Sequence, residues 1–308
     1  MNKTVYLNKE FLDARKASIS ITDYGFLFGA GIYEVIGLYN GIPFKLDEHF
    51  ARLKKSAEMS HLVVPFTSNE LQSIVTKLVN ADNATNGYVY IQITFGSYER
   101  RNNLFPKQIN PTVLISTQSM EPINPTYYKE GVKLELVPDI RWQCCNIKST
   151  SLFANLLAYN HATDQGFYEA VFFDEQTTNV TECASSNIFA YLNGELITPP
   201  VSSSILSGVT RDIVIRIAAN NGIIVNEQPL TVSNLLASQE AFITSSTKEI
   251  VPVQLICKST TKSNPEQVSL IKNCPGEITN KLIDLYIKEV ETTTGTRHYK
   301  RALFTKDL

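Results

Sequence analysis

Apolar positions along this chain recur with two different periods. Residues 32–39 carry the branched and aromatic side chains of a strand, and Asn40-Gly41 directly after them is a type I′ hairpin dipeptide. Over 47–60 the apolar residues Phe50, Leu53 and Ala57, with Met59 close by, fall at roughly helical spacing, and 70–79 gives a second helix. Residues 87–95 and 112–117 read as strands, and 132–137 alternates like a strand buried on one face. Further on, helices are expected at about 151–164, 209–220, 232–236 and 277–290. Strands are expected at 169–173, 187–191, 195–198, 223–227, 241–244 and 251–257, with a second hairpin turn at Asn193-Gly194. Hairpins mixed with helices predict an α+β architecture in two lobes, not a doubly wound parallel sheet. The run Glu121-Pro122-Ile123-Asn124-Pro125 cannot continue regular structure. The expected division is an N-terminal lobe over 1–121, a linker over 122–126, a C-terminal lobe over 127–290 and a polar tail over 291–308.

Composition narrows the function classes. With 43% apolar and 19% charged residues among 308, the chain suits a folded protein and not a disordered one. Thirty acids against 28 bases leave no excess to neutralise phosphates, so nucleic acid is not an expected partner. The opening residues hold no signal-like apolar run, and nowhere do about 18 apolar residues follow one another, so no membrane span is expected. Five cysteines without a CxxC pair suit reduced thiols and a cytoplasmic location. Four scattered histidines give no metal-binding pattern, so no metal is expected.

Three segments could carry chemistry. Lys148 follows Trp142-Gln143-Cys144-Cys145-Asn146-Ile147 and precedes the helical run from Leu152. A helix N-terminus and partial burial both disfavour an ammonium, which suits a lysine that attacks carbonyls. Taken alone, the segment is more simply a lysine whose head reaches solvent. Glu182, amid small residues before a strand, suits a carboxylate that holds a ring nitrogen protonated; alone, it reads more simply as a loop acid accepting hydrogen bonds from Ser185 or Ser186. Ser207-Gly208-Val209-Thr210 opens a helix whose free N–H groups could cradle a phosphate, and equally suits a plain cap at Ser207 or Gly208. Thr244-Ser245-Ser246-Thr247 could add hydroxyl donors or be a common turn. Phe28-Gly29-Ala30-Gly31 lacks the third glycine of a dinucleotide fingerprint.

The order of these segments is more specific than any one of them. The chain resembles the fold-type IV pyridoxal-phosphate aminotransferases, within them the D-amino-acid aminotransferases, over about residues 4–285. The resemblance rests on Asp23 to Glu34, Asp47 to Leu53, Asp139 to Lys148, Thr181 to Asn187, Leu206 to Asp212 and Thr244 to Glu249. It implies pyridoxal 5′-phosphate as cofactor, with 127–290 as the lobe that binds it. By the same resemblance Lys148 is the Schiff-base lysine and proton carrier, and Glu182 pairs with the pyridine nitrogen. Arg52, Val209, Thr210 and Ser246 hold the phosphate, Leu206 packs on the ring and Tyr33 lines the substrate side. It further implies a homodimer and ping-pong transfer through pyridoxamine phosphate, from a D-amino acid such as D-alanine to 2-oxoglutarate. The alternatives within the fold are an L-branched-chain or (R)-amine transaminase and a 4-amino-4-deoxychorismate lyase. The chain departs from the family at the substrate carboxylate. The expected Arg-x-His trap reads Arg101-Asn102-Asn103, with Arg100 as a second candidate guanidinium and Asn103 in place of histidine.

Overall fold

The structure, a computed structural model, describes residues 3–120, 124–259, 265–271 and 274–298. They fall into two compact units that are not contiguous in sequence. The first holds residues up to 120 with Ile147–Ser151 and 291–298; the second holds 124–146 and 152–290. Residues 122–123 of the expected linker and 299–308 of the expected tail lie outside the described residues.

The first unit is built from β1 (Thr4–Leu7), β2 (Glu10–Asp13), α1 (Tyr24–Phe28), β3 (Gly31–Tyr39), β4 (Ile42–Pro43), α2 (Leu46–Met59), α3 (Ser68–Asp82), β5 (Gly87–Thr94) and β6 (Thr112–Ser119). The strands form one antiparallel sheet in the order β2-β1-β6-β5-β3-β4. Asn40 and Gly41 both take positive φ, 48° and 82°, as the type I′ turn requires. Strand alternation sends Ile36, Leu38, Val89, Ile91 and Ile115 into a core with Leu53 of α2 and Leu71, Val75 and Leu78 of α3. Fully burying each such side chain contributes about 1.5–3 kcal/mol, so the core fixes α2 against the sheet. Helix α3 begins with a capping box between Thr67 and Glu70.

The second unit contains α4 (Thr126–Lys129), β7 (Val132–Pro138), α5 (Phe153–Asp164), β8 (Glu169–Phe173), β9 (Asn179–Cys183), β10 (Asn187–Leu192), β11 (Glu195–Thr198), α6 (Val209–Asn220), β12 (Ile224–Glu227), β13 (Leu230–Thr231), α7 (Val232–Leu236), β14 (Glu240–Ser245), β15 (Glu249–Ser259), β16 (Pro265–Leu270) and α8 (Glu277–Thr294). Its sheet runs β12-β11-β10-β14-β15-β7-β8-β9-β13, with β16 also paired to β15. Most pairings are antiparallel; β7 runs parallel to β8 and β15, and β11 to β12. Helix α8 continues four residues past its expected end into the expected tail, because Thr294 and His298 are buried and the His298 N–H donates to Glu291 Oε1 at 3.0 Å.

Candidate active site

In the first unit, alternation along β3 separates two neighbouring residues. Glu34 points toward α2, where His49, Arg52 and Ser56 fall on one face at helical spacing. Glu34 is fully buried. Its Oε1 accepts from Arg52 Nε at 2.7 Å and its Oε2 from Arg52 Nη2 at 2.8 Å, and His49 Nδ1 lies 2.8 Å from the same Oε2. Burial alone would raise the Glu34 carboxyl, but the charge and hydrogen bonds of Arg52, with the His49 bond, hold it well below the usual carboxylate range. His49 is pushed below its ordinary value by burial, and its bond to Glu34 only partly offsets this. Arg52 is thereby fixed in plane by a residue that sequence reading did not assign a role.

Tyr33 lies on the opposite face of β3, and the Lys148 ammonium sits over its ring, 4.3 Å from the centroid. No helix holds Lys148. Helix α5 starts at Phe153, beyond the reach of the dipole effect invoked from sequence, which fades within a turn. The segment Ile147–Ser151 instead binds the start of β3. The Tyr33 N–H donates to the Lys148 carbonyl and the Thr150 N–H to the Gly31 carbonyl, both at 2.9 Å. Lys148 N–H donates to Ser56 Oγ at 3.1 Å, and Thr150 Oγ1 to the Gly29 carbonyl at 2.7 Å. A Cβ on Gly31 would crowd Thr150 Oγ1 at 3.1 Å, and Gly29 ends α1 at φ +64°. The two glycines serve this close approach and not a nucleotide.

In the second unit Glu182 is on β9, not in a loop. It is buried, and its carboxylate is held on both sides. Arg141 Nη1 donates to Oε1 at 2.5 Å, while Asn187 Nδ2 and the Leu206 N–H donate to Oε2, each at 3.1 Å. Ser185 and Ser186, which sequence reading paired with Glu182, donate to Glu169 instead. Arg141 also takes Asp139 by Nε at 2.9 Å and Nη2 at 2.8 Å, and it stacks 4.4 Å from the Phe172 ring centroid. Burial works against the charges here as well. Arg141 stays protonated through Asp139 and Glu182, and Asp139 is held below its usual value by Arg141 despite burial. Asp139, Arg141 and Asn187 went unassigned in the sequence reading. The Asp-x-Arg spacing is a fork-forming pattern, but nothing local points to a glutamate 41 residues away.

Helix α6 begins with Gly208 as N-cap, and no side chain caps it; Ser207 Oγ turns to Asp212 at 3.4 Å. The first N–H groups, those of Val209 and Thr210, are therefore left for an anion. A Cβ at Gly208 would come within 2.0 Å of Asn187 Oδ1, so the glycine admits the asparagine that braces Glu182. Ser246 lies in the turn between β14 and β15, next to a buried Thr244 hydroxyl that has no protein partner. An uncapped helix end and an orphaned hydroxyl fit the phosphate of pyridoxal phosphate, and the braced carboxylate fits its ring nitrogen.

Arg100, Arg101 and Asn103 are exposed on the loop between β5 and β6. That loop is ordered by Tyr24, whose hydroxyl donates to the Asn102 carbonyl at 2.8 Å, and by Phe105 stacked 4.6 Å from Phe95. Arg101 lies over the Phe28 ring at 4.7 Å. Among the described residues none of these three makes a hydrogen bond or ring contact with Lys148.

An amine held on an aromatic face, an arginine locked by a buried carboxylate, a braced glutamate and an uncapped helix end are the parts of an enzyme that uses a phosphorylated aldehyde cofactor. The chain belongs to amino-transferase class IV, whose family model matches residues 31–256. It is a pyridoxal-phosphate-dependent aminotransferase. It is 35% identical over 298 residues to the D-alanine aminotransferase of Listeria monocytogenes, covering 96% of this chain and 99% of that one. In fold it matches the branched-chain amino acid aminotransferase of Escherichia coli with a TM-score of 0.84 at 23% identity, covering 97% of each chain. It also matches the T.th. branched-chain amino acid aminotransferase with pyridoxamine 5′-phosphate, with a TM-score of 0.83 at 23% identity over 96% of each chain. Among the described residues no helix is long and apolar enough to cross a membrane, and no group of three His, Cys, Asp or Glu residues could hold a metal.

Proposed function

We propose that this protein moves the amino group of a D-amino acid, D-alanine among them, to 2-oxoglutarate in two half-reactions that share one cofactor. The observation that carries this reading is the likeness to D-alanine aminotransferases at 34–36% identity. For the first of them the likeness extends over nearly the whole of both chains. The branched-chain enzymes share the fold at lower identity.

Each constellation has its part. Lys148 would hold the cofactor at its aldehyde through Nζ, and the same amine is the base that would carry the proton between the substrate Cα and the cofactor. Tyr33 beneath it keeps that amine oriented. Glu182, itself held by Arg141 and Asn187, would keep the proton on the ring nitrogen. When bound, pyridoxal phosphate supplies an electron sink for the bond broken at Cα. Arg52, the N–H groups of Val209 and Thr210, and Ser246 would hold the phosphate, and Leu206 would pack on the ring. Arg101, with Arg100 and Asn103 beside it, takes the substrate carboxylate, where a guanidinium can make two parallel hydrogen bonds.

The reading includes a homodimer in the cytoplasm. Phe153, Leu156 and Leu157 share one face of α5 and are 74%, 54% and 50% exposed, an apolar stripe that a second copy would cover. The test is a substrate panel. Holoprotein is given D-alanine, L-leucine, (R)-1-phenylethylamine or aminodeoxychorismate, and pyruvate release and the change in cofactor absorbance are followed. D-alanine should convert the cofactor to its amine form. Conversion by L-leucine and not D-alanine would replace the D-assignment. Lys148→Ala should retain no covalently attached cofactor.

A further inference from the structure

Lys248 closes the turn that carries Ser246, and its ammonium sits in a cage within the second unit. Glu169 Oε2 lies 3.6 Å from Nζ and Ser185 Oγ 3.3 Å from it, while the ring centroids of Tyr168 and Tyr159 lie at 4.8 and 5.3 Å. Glu169 has no exposed side chain and itself receives the Ser185 N–H and, at 2.9 Å, the Ser186 hydroxyl. Burial works against the ammonium, but the Glu169 carboxylate more than offsets it and raises the lysine above its ordinary value. The Lys248 backbone is pinned as well. Its N–H donates to Ser245 Oγ at 3.2 Å and its carbonyl accepts from the Tyr128 hydroxyl at 2.8 Å. The next residue, Glu249, sits at φ +64°, a conformation that L residues rarely adopt. A tight turn with such an exit holds its shape only where its surroundings impose it.

We propose that Lys248 is a positioning residue for the cofactor phosphate: caged by Glu169 and two tyrosine rings, it fixes the turn over 245–247 so that the Ser246 hydroxyl meets the phosphate. The inference rests on Ser246 being a phosphate ligand. The charge of Lys248 goes to Glu169 and the rings, so it acts through the geometry of the turn and not as a phosphate-binding cation.

The test is binding to apoprotein, titrated with pyridoxal phosphate and separately with pyridoxal, which has no phosphate. Lys248→Met should weaken pyridoxal phosphate about tenfold and leave pyridoxal within twofold, and Lys248→Arg, which keeps the charge and stacks on aromatic rings, should recover most of the loss. Adding Lys248→Met to Ser246→Ala should cost less than a further twofold, because the lysine works through that serine. Equal weakening of both ligands by Lys248→Met, or a full tenfold on top of Ser246→Ala, would overturn the positioning role while Ser246 keeps its own. Ser246→Ala without any effect on pyridoxal phosphate would overturn the serine assignment, and the positioning role with it. Should Lys248→Met not fold, Glu169→Gln carries the same test. It keeps the size of the partner, removes its charge, and should weaken pyridoxal phosphate about threefold with pyridoxal unchanged.

Discussion

Arg141→Met removes a guanidinium whose side chain is 3% exposed and leaves the methylene stem in place. Five side-chain hydrogen bonds go with it: two to Asp139 and one each to Glu182, Thr181 and the Ser204 carbonyl. The loss is dominated by the two carboxylates left without their cation, both largely buried. Breaking such a pair from one side costs about 3–5 kcal/mol. With a urea slope of about 3 kcal/mol per M, the midpoint should fall by about 1–1.7 M at pH 7. The pH dependence has a definite sign. In the native protein Asp139 is held below its ordinary value, so its stabilisation is present above about pH 4 and fades only below that. In the variant the guanidinium no longer holds the carboxyl down, and burial, the largest influence on it, is opposed only by the hydrogen bonds of the Thr181 hydroxyl and the residue 141 N–H, so protonation on the way down from pH 7 relieves part of the penalty. The gap between the two proteins should therefore be wide at pH 7 and narrower at pH 5. Urea unfolding followed by circular dichroism at both pH values measures it. A loss under about 1 kcal/mol at pH 7, or a gap that does not narrow, would refute the reasoning. Adding Asp139→Asn to the variant should restore part of the loss, since contacting groups do not add.

Gly208→Ala drives a Cβ to within 2.0 Å of Asn187 Oδ1 and should cost about 1–3 kcal/mol; an unchanged melting temperature would contradict the packing described. His49, pushed below its ordinary 6.5 by burial, should remain mostly neutral at pH 6.5, and nitrogen shifts of its ring showing half or more imidazolium there would mean that its bond to Glu34 outweighs burial, against the order argued here. Burial pushes the Cys145 thiol up to about 11, so its alkylation, read by peptide mass mapping, should rise about tenfold per pH unit between pH 8 and 10; a plateau by pH 9 would contradict this.

The long periodic elements were legible in the sequence, and so were both hairpin turns, because Asn-Gly at the end of an alternating run has one low-energy solution. Six strands of the sheets were not, β9 and β16 among them. Residues 4–7 and 10–13 are short, and 42–43 and 230–231 have no period at all. Strand β9 was read as a loop because Thr181, Glu182 and Cys183 give no apolar alternation; its place in the sheet comes from pairing with β8 and β13. At the site, order along the chain named Lys148, Glu182 and Arg52, but not what holds them. Glu34 reaches Arg52 18 residues away, and Arg141 reaches Glu182 41 residues away. Such partners are chosen by sheet pairing and helix docking, which a single sequence does not spell out. The helix end supposed to act on Lys148 is five residues distant, since residues 147–151 behave as a strand-like edge.

That edge makes the length of the chain around Lys148 a fixed count. Ile147 packs into the core of the first unit, and the bonds of Lys148 and Thr150 to Tyr33 and Gly31 leave no slack on either side. Because neighbouring side chains in an extended ribbon leave from opposite sides, deleting or adding one residue there would send the amine inward and set an apolar side chain where the amine belongs. Substitutions around it can be absorbed one at a time; insertions and deletions must come in pairs.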